Sequence, residues 1–295
     1  MLPITKHRQN STSSDDFKYS IIIPTWNNLS FLKNTLKSIR KNSKFKHQII
    51  VHINEGTDGT LEWIKSQNNI DYTYSRNNVG ICYPLNIARQ LIKTDYIVYI
   101  NDDMYVAPDW DFYFDEEIKN RPDHYFFLSG TLIEANSNNP VVIKKDFGQN
   151  LSDFDESNFL RNHQSIEFND WSGATWPINI VHKDLWDLVG GYSPEYTPGF
   201  YSDPDFSKKL WDLGVRYFKG ISKARVYHFP SRSTKRLKSP NKGRVTFLLK
   251  WGMTSGHFFK HYLKMGEPFK GPLNDNNNRL SFLHKVKSII EIIKS

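Results

Sequence analysis

Two adjacent carboxylates, Asp102 and Asp103, follow the apolar run Tyr96-Ile97-Val98-Tyr99-Ile100 after one residue, Asn101. Like charges side by side at the end of a buried segment cost energy unless a cation offsets them. A hard divalent ion, held partly by carboxylates and partly by phosphate oxygens, would do so. A solvated acidic turn ahead of Pro108 is the alternative. A second acidic group, Asp203-Pro204-Asp205, opens a helical stretch. Its carboxylates either complement the helix dipole or include a general base beside a bound cofactor. His228 closes a strand-like run and reads as a packed histidine or as a metal ligand. Arg76 is a phosphate partner or an ordinary surface arginine. The basic stretch from Lys219 to Arg244 either grips phosphates or is a solvated loop.

These residues need elements to hold them. Tyr19 to Pro24 reads as a short buried strand ended by proline. Phe31, Leu32, Leu36 and Ile39 recur at helical spacing, with Asn28 as the N-cap. His47 to Ile53 is a second strand, and the turn Gly56 to Thr60 leads into a helix from Leu61 to Gln67. Tyr72 to Ser75 is a strand, Pro84 to Lys93 a helix, and Asp95 to Ile100 the next strand. This alternation predicts an α/β fold with a mostly parallel sheet flanked by helices. In such sheets ligands bind beyond the carboxyl ends of the strands. Thr25 to Asn28, Asn54 to Asp58, Arg76 to Gly80 and Asn101 to Met104 all fall there.

The second half is less regular. Lys183 to Val189 reads as a helix stopped by Gly190-Gly191, and Asp205 to Leu213 as one stopped by Gly214. Phe247 to Leu263 reads as one helix. In Ser281 to Ser295, residues Phe282, Leu283, Val286, Ile289, Ile290 and Ile293 fall on one helical face. That face either docks on the core or lies in a membrane interface.

The 295 residues are 38% hydrophobic and 15% aromatic, which excludes disorder of the whole chain and provides for a substantial core. One cysteine, Cys82, excludes an intramolecular disulfide or a Cys-rich zinc module and points to a reducing setting. No run of about 18 apolar residues is present, so no transmembrane helix is expected. Met1 to Lys18 lacks an apolar signal core. The expected location is therefore cytoplasmic, with peripheral contact at the inner face of the membrane as the second possibility for residues 281–295. The net charge of +8 favours an anionic partner. Nucleic acid is not expected, since no recognition helix or aromatic RNA-binding motif is recognisable.

Taken in order, these segments resemble the family 2 glycosyltransferases of the GT-A fold. Ile21-Ile22-Ile23-Pro24-Thr25-Trp26-Asn27 is similar to the family's first strand, and Thr57-Asp58-Gly59-Thr60 to its S-x-D-G-T turn. Arg76-Asn77-Asn78-Val79-Gly80 resembles the R/E-N-x-G segment. Asn101-Asp102-Asp103 stands where the family has its DXD-type motif. Trp171 to Ala174 and Leu185 to Tyr192 resemble the acceptor-side segment. Ser202-Asp203-Pro204-Asp205-Phe206 resembles E-D-x-D-L, and Val226-Tyr227-His228 the closing strand.

The resemblance implies roles. Thr25, Asn27, Asn54, Arg76 and Gly80 line the nucleotide site, with Glu55 as a substitute for the base-reading acid absent at Ile53 and Asn54. Asp103, helped by Asp102, holds Mn²⁺ or Mg²⁺, with His228 as a further ligand. Asp203 is the catalytic base. The implied reaction is inverting transfer from a nucleotide-sugar donor, a UDP-sugar favoured, to a hydroxyl of a glycan or lipid-linked glycan. The setting is polysaccharide, lipopolysaccharide or glycoprotein glycan synthesis. Asn101 and Ser202 replace two of the family's acids, which leaves a catalytically degenerate binding module as the alternative. Trp171, Trp176, Trp186 and Tyr196 are sugar-stacking or core residues. The implied organisation is an N-terminal arm (1–17), a GT-A domain (18–230, with a nucleotide-binding half 18–104 and an acceptor half 105–230) and a basic, mainly helical extension (231–295).

Overall fold

The computed structural model describes residues 5–8, 16–229 and 242–275, together with Val286, Ile289, Ile290 and Ile293. A short strand β1 (Thr5–Arg8) comes first, then β2 (Ser20–Trp26), α1 (Leu29–Asn42), β3 (Gln48–Asn54), α2 (Thr60–Lys65), β4 (Asp71–Ser75), α3 (Cys82–Ala88) and β5 (Tyr96–Tyr99). Strands β4, β3, β2 and β5 lie side by side and parallel. Every residue of β3 is buried, as expected of a parallel strand covered on both faces. His52, in its middle, bonds Thr73 Oγ1 through Nδ1 at 2.7 Å and Ser75 Oγ through Nε2 at 3.2 Å. Burial holds it neutral, with its pKa lowered to about 3.

Two local expectations are corrected, and a third holds in position only. Strand β2 does not end at Pro24 but runs on to Trp26. It pairs with β5 over Ser20–Ile22, so the missing proline N–H falls beyond that ladder. Residues 5–8 of the expected loose arm pair antiparallel with β4, covering an otherwise open edge. Asn28 stands at the start of α1 but makes no side-chain cap bond. Asp58 does that work: its Oδ2 accepts from the Leu29 amide at 2.8 Å, and its Oδ1 from the Thr60 amide and hydroxyl at 3.1 and 2.6 Å. One aspartate thus ties the starts of two helices together.

The chain then leaves the parallel pattern. It forms β6 (Met104–Val106), α4 (Trp110–Lys119), β7 (Phe126–Glu134), β8 (Val142–Lys144), α5 (Glu156–Asn162), β9 (Trp171–Ser172), β10 (Asn179–His182), α6 (Lys183–Leu188), α7 (Ser202–Asp212) and β11 (Tyr217–His228). Strand β10 runs antiparallel between β5 and β7 and joins the two halves into one sheet. Strand β11 is parallel to β7 on one side and antiparallel to β6 on the other.

The segment 242–275 closes over this frame. Helix α8 (Gly243–Trp251) ends at Gly252, which is left-handed (φ +64°), and a second helical piece spans 255–262. The single helix expected over Phe247 to Leu263 is therefore broken, because Gly252 turns the chain where a side chain would be strained. Phe247, Met253, Phe258 and Leu263 pack into a core with Trp186, Phe206 and Trp211. Most of the terminal amphipathic segment, 281–295, lies outside the described residues. Ile289, Ile290 and Ile293 are described and exposed. No helix among the described residues is long and apolar enough to cross a membrane.

Candidate active site

A cavity of about 600 Å³ opens at the carboxyl ends of β2, β3 and β5. Thr25, Asn54, Gly80, Asp102, Asp103, Asp203 and His228 all line it. The sequence scatters these residues over two hundred positions, and the sheet brings them to one place. Asn27, Glu55 and Arg76 are not among its lining residues. Asn27 and Glu55, both left-handed, bond each other at the rim: Asn27 Nδ2 donates to Glu55 Oε2 at 3.1 Å, beside a bond from Trp26 Nε1 at 2.9 Å. Trp26 lines the cavity. Arg76 is exposed.

Asn54 has a bracing job. Its Oδ1 accepts from the Val79 amide at 2.8 Å and its Nδ2 donates to the Gly80 carbonyl at 3.2 Å. Gly80 in turn has φ +77°, and a Cβ there would lie 2.8 Å from the Cα and carbonyl oxygen of Pro198. Ile81 N donates to that same Pro198 oxygen at 3.0 Å. The loop after β4 is therefore clamped to the loop before α7, which joins the parallel strands to the segment carrying Asp203.

The metal candidates are assembled by strand register. The antiparallel pairing of β11 with β6 sets His228 opposite Met104, one residue from Asp103. The parallel pairing of β11 with β7 sets Tyr227 beside Ile133, so Glu134 falls next to His228. His228 Nε2 lies 3.4 Å from Asp103 Oδ1, and its Nδ1 lies 2.7 Å from Glu134 Oε1. Burial alone would lower the His228 pKa, but Asp103 and Glu134 push it up to about 10. Asp103 Oδ1 is buried and, apart from its ion pair with His228, has no hydrogen-bond partner among the described residues. A buried carboxylate oxygen facing only an imidazole fits a bound cation, which would take the place of the ring's second proton. Asp102 is held differently: its Oδ2 accepts from Thr25 Oγ1 at 2.6 Å, and its backbone oxygen from Thr35 Oγ1 at 2.8 Å.

Asp203 stands in the first turn of α7, which follows left-handed Tyr201. Desolvation raises its pKa from 3.8 to about 7, against a bond from the Tyr192 hydroxyl. A carboxylate tuned to this range suits proton transfer at neutral pH. Two positions on, Asp205 is fully buried. It accepts from Trp251 Nε1 at 2.9 Å and pairs with Lys250 Nζ at 2.9 Å. The extension is thus pinned to the helix that carries Asp203, and its Ser255 and Phe259 reach the cavity wall.

Of the four aromatic candidates, Trp171, Trp186 and Tyr196 are core residues. Trp176 lines the cavity and meets Phe259 edge-on at 5.6 Å. Glu134, Phe259 and Ser255 escaped the sequence reading. No local pattern marks them, because strand register and the return of the extension alone bring them in. Tyr192 carried a faint signal as the end of the Leu185 to Tyr192 segment.

A doubly covered α/β sheet, extended by a mixed second half and with acids at its strand ends, has the architecture of the GT-A glycosyltransferases. The chain belongs to glycosyl transferase family 2, whose model matches residues 20–172, just over half of its length. Solved structures share the fold at low identity. S. aureus TarS 1-349 in complex with UDP-GlcNAc superposes with a TM-score of 0.57 at 14% identity, covering 94% of this chain and 81% of that one. GalNAc-T7 with UDP, GalNAc and Mn²⁺ gives 0.58 at 16% identity, covering 82% and 49%. TarS 1-349 alone gives 0.52 at 16% identity, covering 72% and 60%. The chain thus spans 60% of the length of that TarS chain and 44% of the longer TarS chain. No curated protein matches the chain.

Proposed function

We propose that the chain transfers a sugar from a nucleotide-diphosphate sugar, a UDP-sugar favoured, to a hydroxyl of a glycan or lipid-linked glycan, with inversion. The observation that carries this reading is one cavity bearing an acid tuned to about pH 7, Asp203, together with an Asp103–His228–Glu134 cluster. Asp203 accepts the proton of the acceptor hydroxyl as its oxygen bonds the anomeric carbon. The bond from that carbon to the phosphate oxygen breaks, and its electron pair leaves with the nucleoside diphosphate. Asp103 and His228, with Asp102 in support, would hold a divalent cation, which supplies neutralisation of charge on the leaving diphosphate. The mixed carboxylate and imidazole set favours Mn²⁺ over Mg²⁺. Thr25 and the braced loop 76–80 form the nucleotide side. On the acceptor side, Trp176 and Phe259 offer apolar faces to a sugar ring. On this reading 18–230 is the catalytic domain and 231–295 an extension that completes the acceptor wall.

A donor panel tests it: purified chain, Mn²⁺ and each common nucleotide sugar, reading free nucleoside diphosphate, with Asp103→Ala and Asp203→Asn alongside. Turnover of one donor that both variants abolish supports the assignment. Equal turnover in wild type and variants rejects it. The exposed Ile289, Ile290 and Ile293, on a chain of net charge +8, favour peripheral contact of 281–295 with an anionic membrane. Flotation with anionic liposomes should be lost in a version ending at Leu280. Equal flotation of both would remove this role.

A further inference from the structure

Glu134 closes β7 at the cavity and touches no residue that the reaction as proposed requires, except His228. Its Oε1 accepts from, or ion-pairs with, His228 Nδ1 at 2.7 Å, while the other ring nitrogen faces Asp103 Oδ1 at 3.4 Å. A neutral imidazole has one N–H and one lone pair, and the partner of one nitrogen decides the state of the other. A carboxylate at Nδ1 keeps the proton there, so a cation that displaces the second ring proton meets the Nε2 lone pair on the Asp103 side. Carboxylate–histidine pairs of this kind orient metal ligands and raise their basicity.

We propose that Glu134 is a positioning residue that fixes the ring and tautomer of His228 for a divalent cation shared with Asp103. This rests on the metal reading given above and adds to it a residue outside the ligand set. The register of β11 between β6 and β7 makes the arrangement a property of the sheet rather than of a loop.

The test measures binding without turnover. Mn²⁺ is titrated into the full chain with UDP present, followed by the loss of free-ion electron paramagnetic resonance signal. Wild type is compared with Glu134→Ala, Glu134→Gln and His228→Ala. Glu134→Ala should weaken Mn²⁺ about 10- to 100-fold. Glu134→Gln should stay within a few-fold of wild type, because its amide oxygen still accepts from Nδ1–H. Nitrogen-15 shifts of His228 with Mg²⁺ and UDP should report an Nδ1–H tautomer in wild type and its loss in Glu134→Ala. Wild-type affinity in a folded Glu134→Ala protein would overturn the proposal while leaving the metal site standing. Weakening of Glu134→Gln as severe as that of Glu134→Ala would also overturn it. If wild type binds no Mn²⁺, or His228→Ala binds as wild type does, the metal reading of His228 itself falls, and this proposal with it.

Discussion

The hydroxyl of Tyr192 meets Asp203 Oδ1 at 3.5 Å, from a side chain that is itself buried beneath the cavity. This bond favours the carboxylate, while desolvation opposes it and leaves the Asp203 pKa at about 7. Below that value Asp203 carries its proton and cannot act as a base. Transfer should therefore fall about tenfold per pH unit below 7 and level off above it. Tyr192→Phe removes the bond, so the limb should move to higher pH. Asp203→Asn should cost about 10²- to 10⁴-fold in kcat with UDP binding retained. A pH–rate series on the three proteins checks the order. The linkage sign is the reverse of that for a paired acid. Between 3.8 and about 7 the folded state holds a proton that the unfolded state has released, so this group's contribution to stability declines as pH rises. Asp203→Asn should therefore melt no lower than wild type at pH 8.

Asp103→Ala takes away the buried carboxylate oxygen that faces His228. Transfer should fall by about 10²-fold or more. The stabilisation of the chain by UDP plus Mn²⁺ in thermal melts should shrink to that given by UDP alone. Chelation should do the same to wild type.

Gly80→Ala tests the clamp between the loop after β4 and the segment before Asp203. A methyl there meets Pro198 backbone at 2.8 Å on a left-handed residue, which costs about 1–3 kcal/mol. Urea melts should record that loss, and the KM for the donor should rise as the loop is pushed from Pro198.

Asp58→Ala should cost about 1–2 kcal/mol, as for loss of a helix cap. Asn28→Ala should cost a few tenths at most, since its side chain caps nothing. The reverse ranking in denaturant melts would show that the cap assignment is wrong. Burial works against ionised Asp58, but the bonds from Thr60 and the Leu29 amide hold its pKa below the usual range. Its contribution is present above the ordinary carboxylate pKa and is lost as pH falls through the lowered one.

Lys250→Met leaves Asp205 buried with Ser193 and Trp251 as its remaining partners. The extension should dock less tightly, at a cost of about 1–3 kcal/mol. Because Ser255 and Phe259 then lose their seat on the cavity wall, KM for the acceptor should rise more than KM for the donor. Steady-state kinetics with each substrate varied separately would detect the split.

The parallel half of the fold was legible from residue order alone. Buried strands such as Ile21 to Ile23 and Ile49 to Val51 are continuous apolar runs, and the helices between them keep a 3.6-residue period, so local chemistry dictates both. The candidate acids were legible for the same reason: Asp102, Asp103 and Asp203 stand directly beside such elements. The mixed half was not. Strands β7, β10 and β11 take their places through long-range pairing, and nothing local to Glu134 says that it will sit beside His228. Asn54 and Asp58 likewise kept their positions but received structural tasks, because the amides of Val79 and Leu29 reach them only after folding. The sequence by itself determined the alternating elements of the parallel half and the residue types at their ends. Tertiary structure alone decided which of those residues share a cavity, since pairing register and the return of the extension act between segments far apart in the chain.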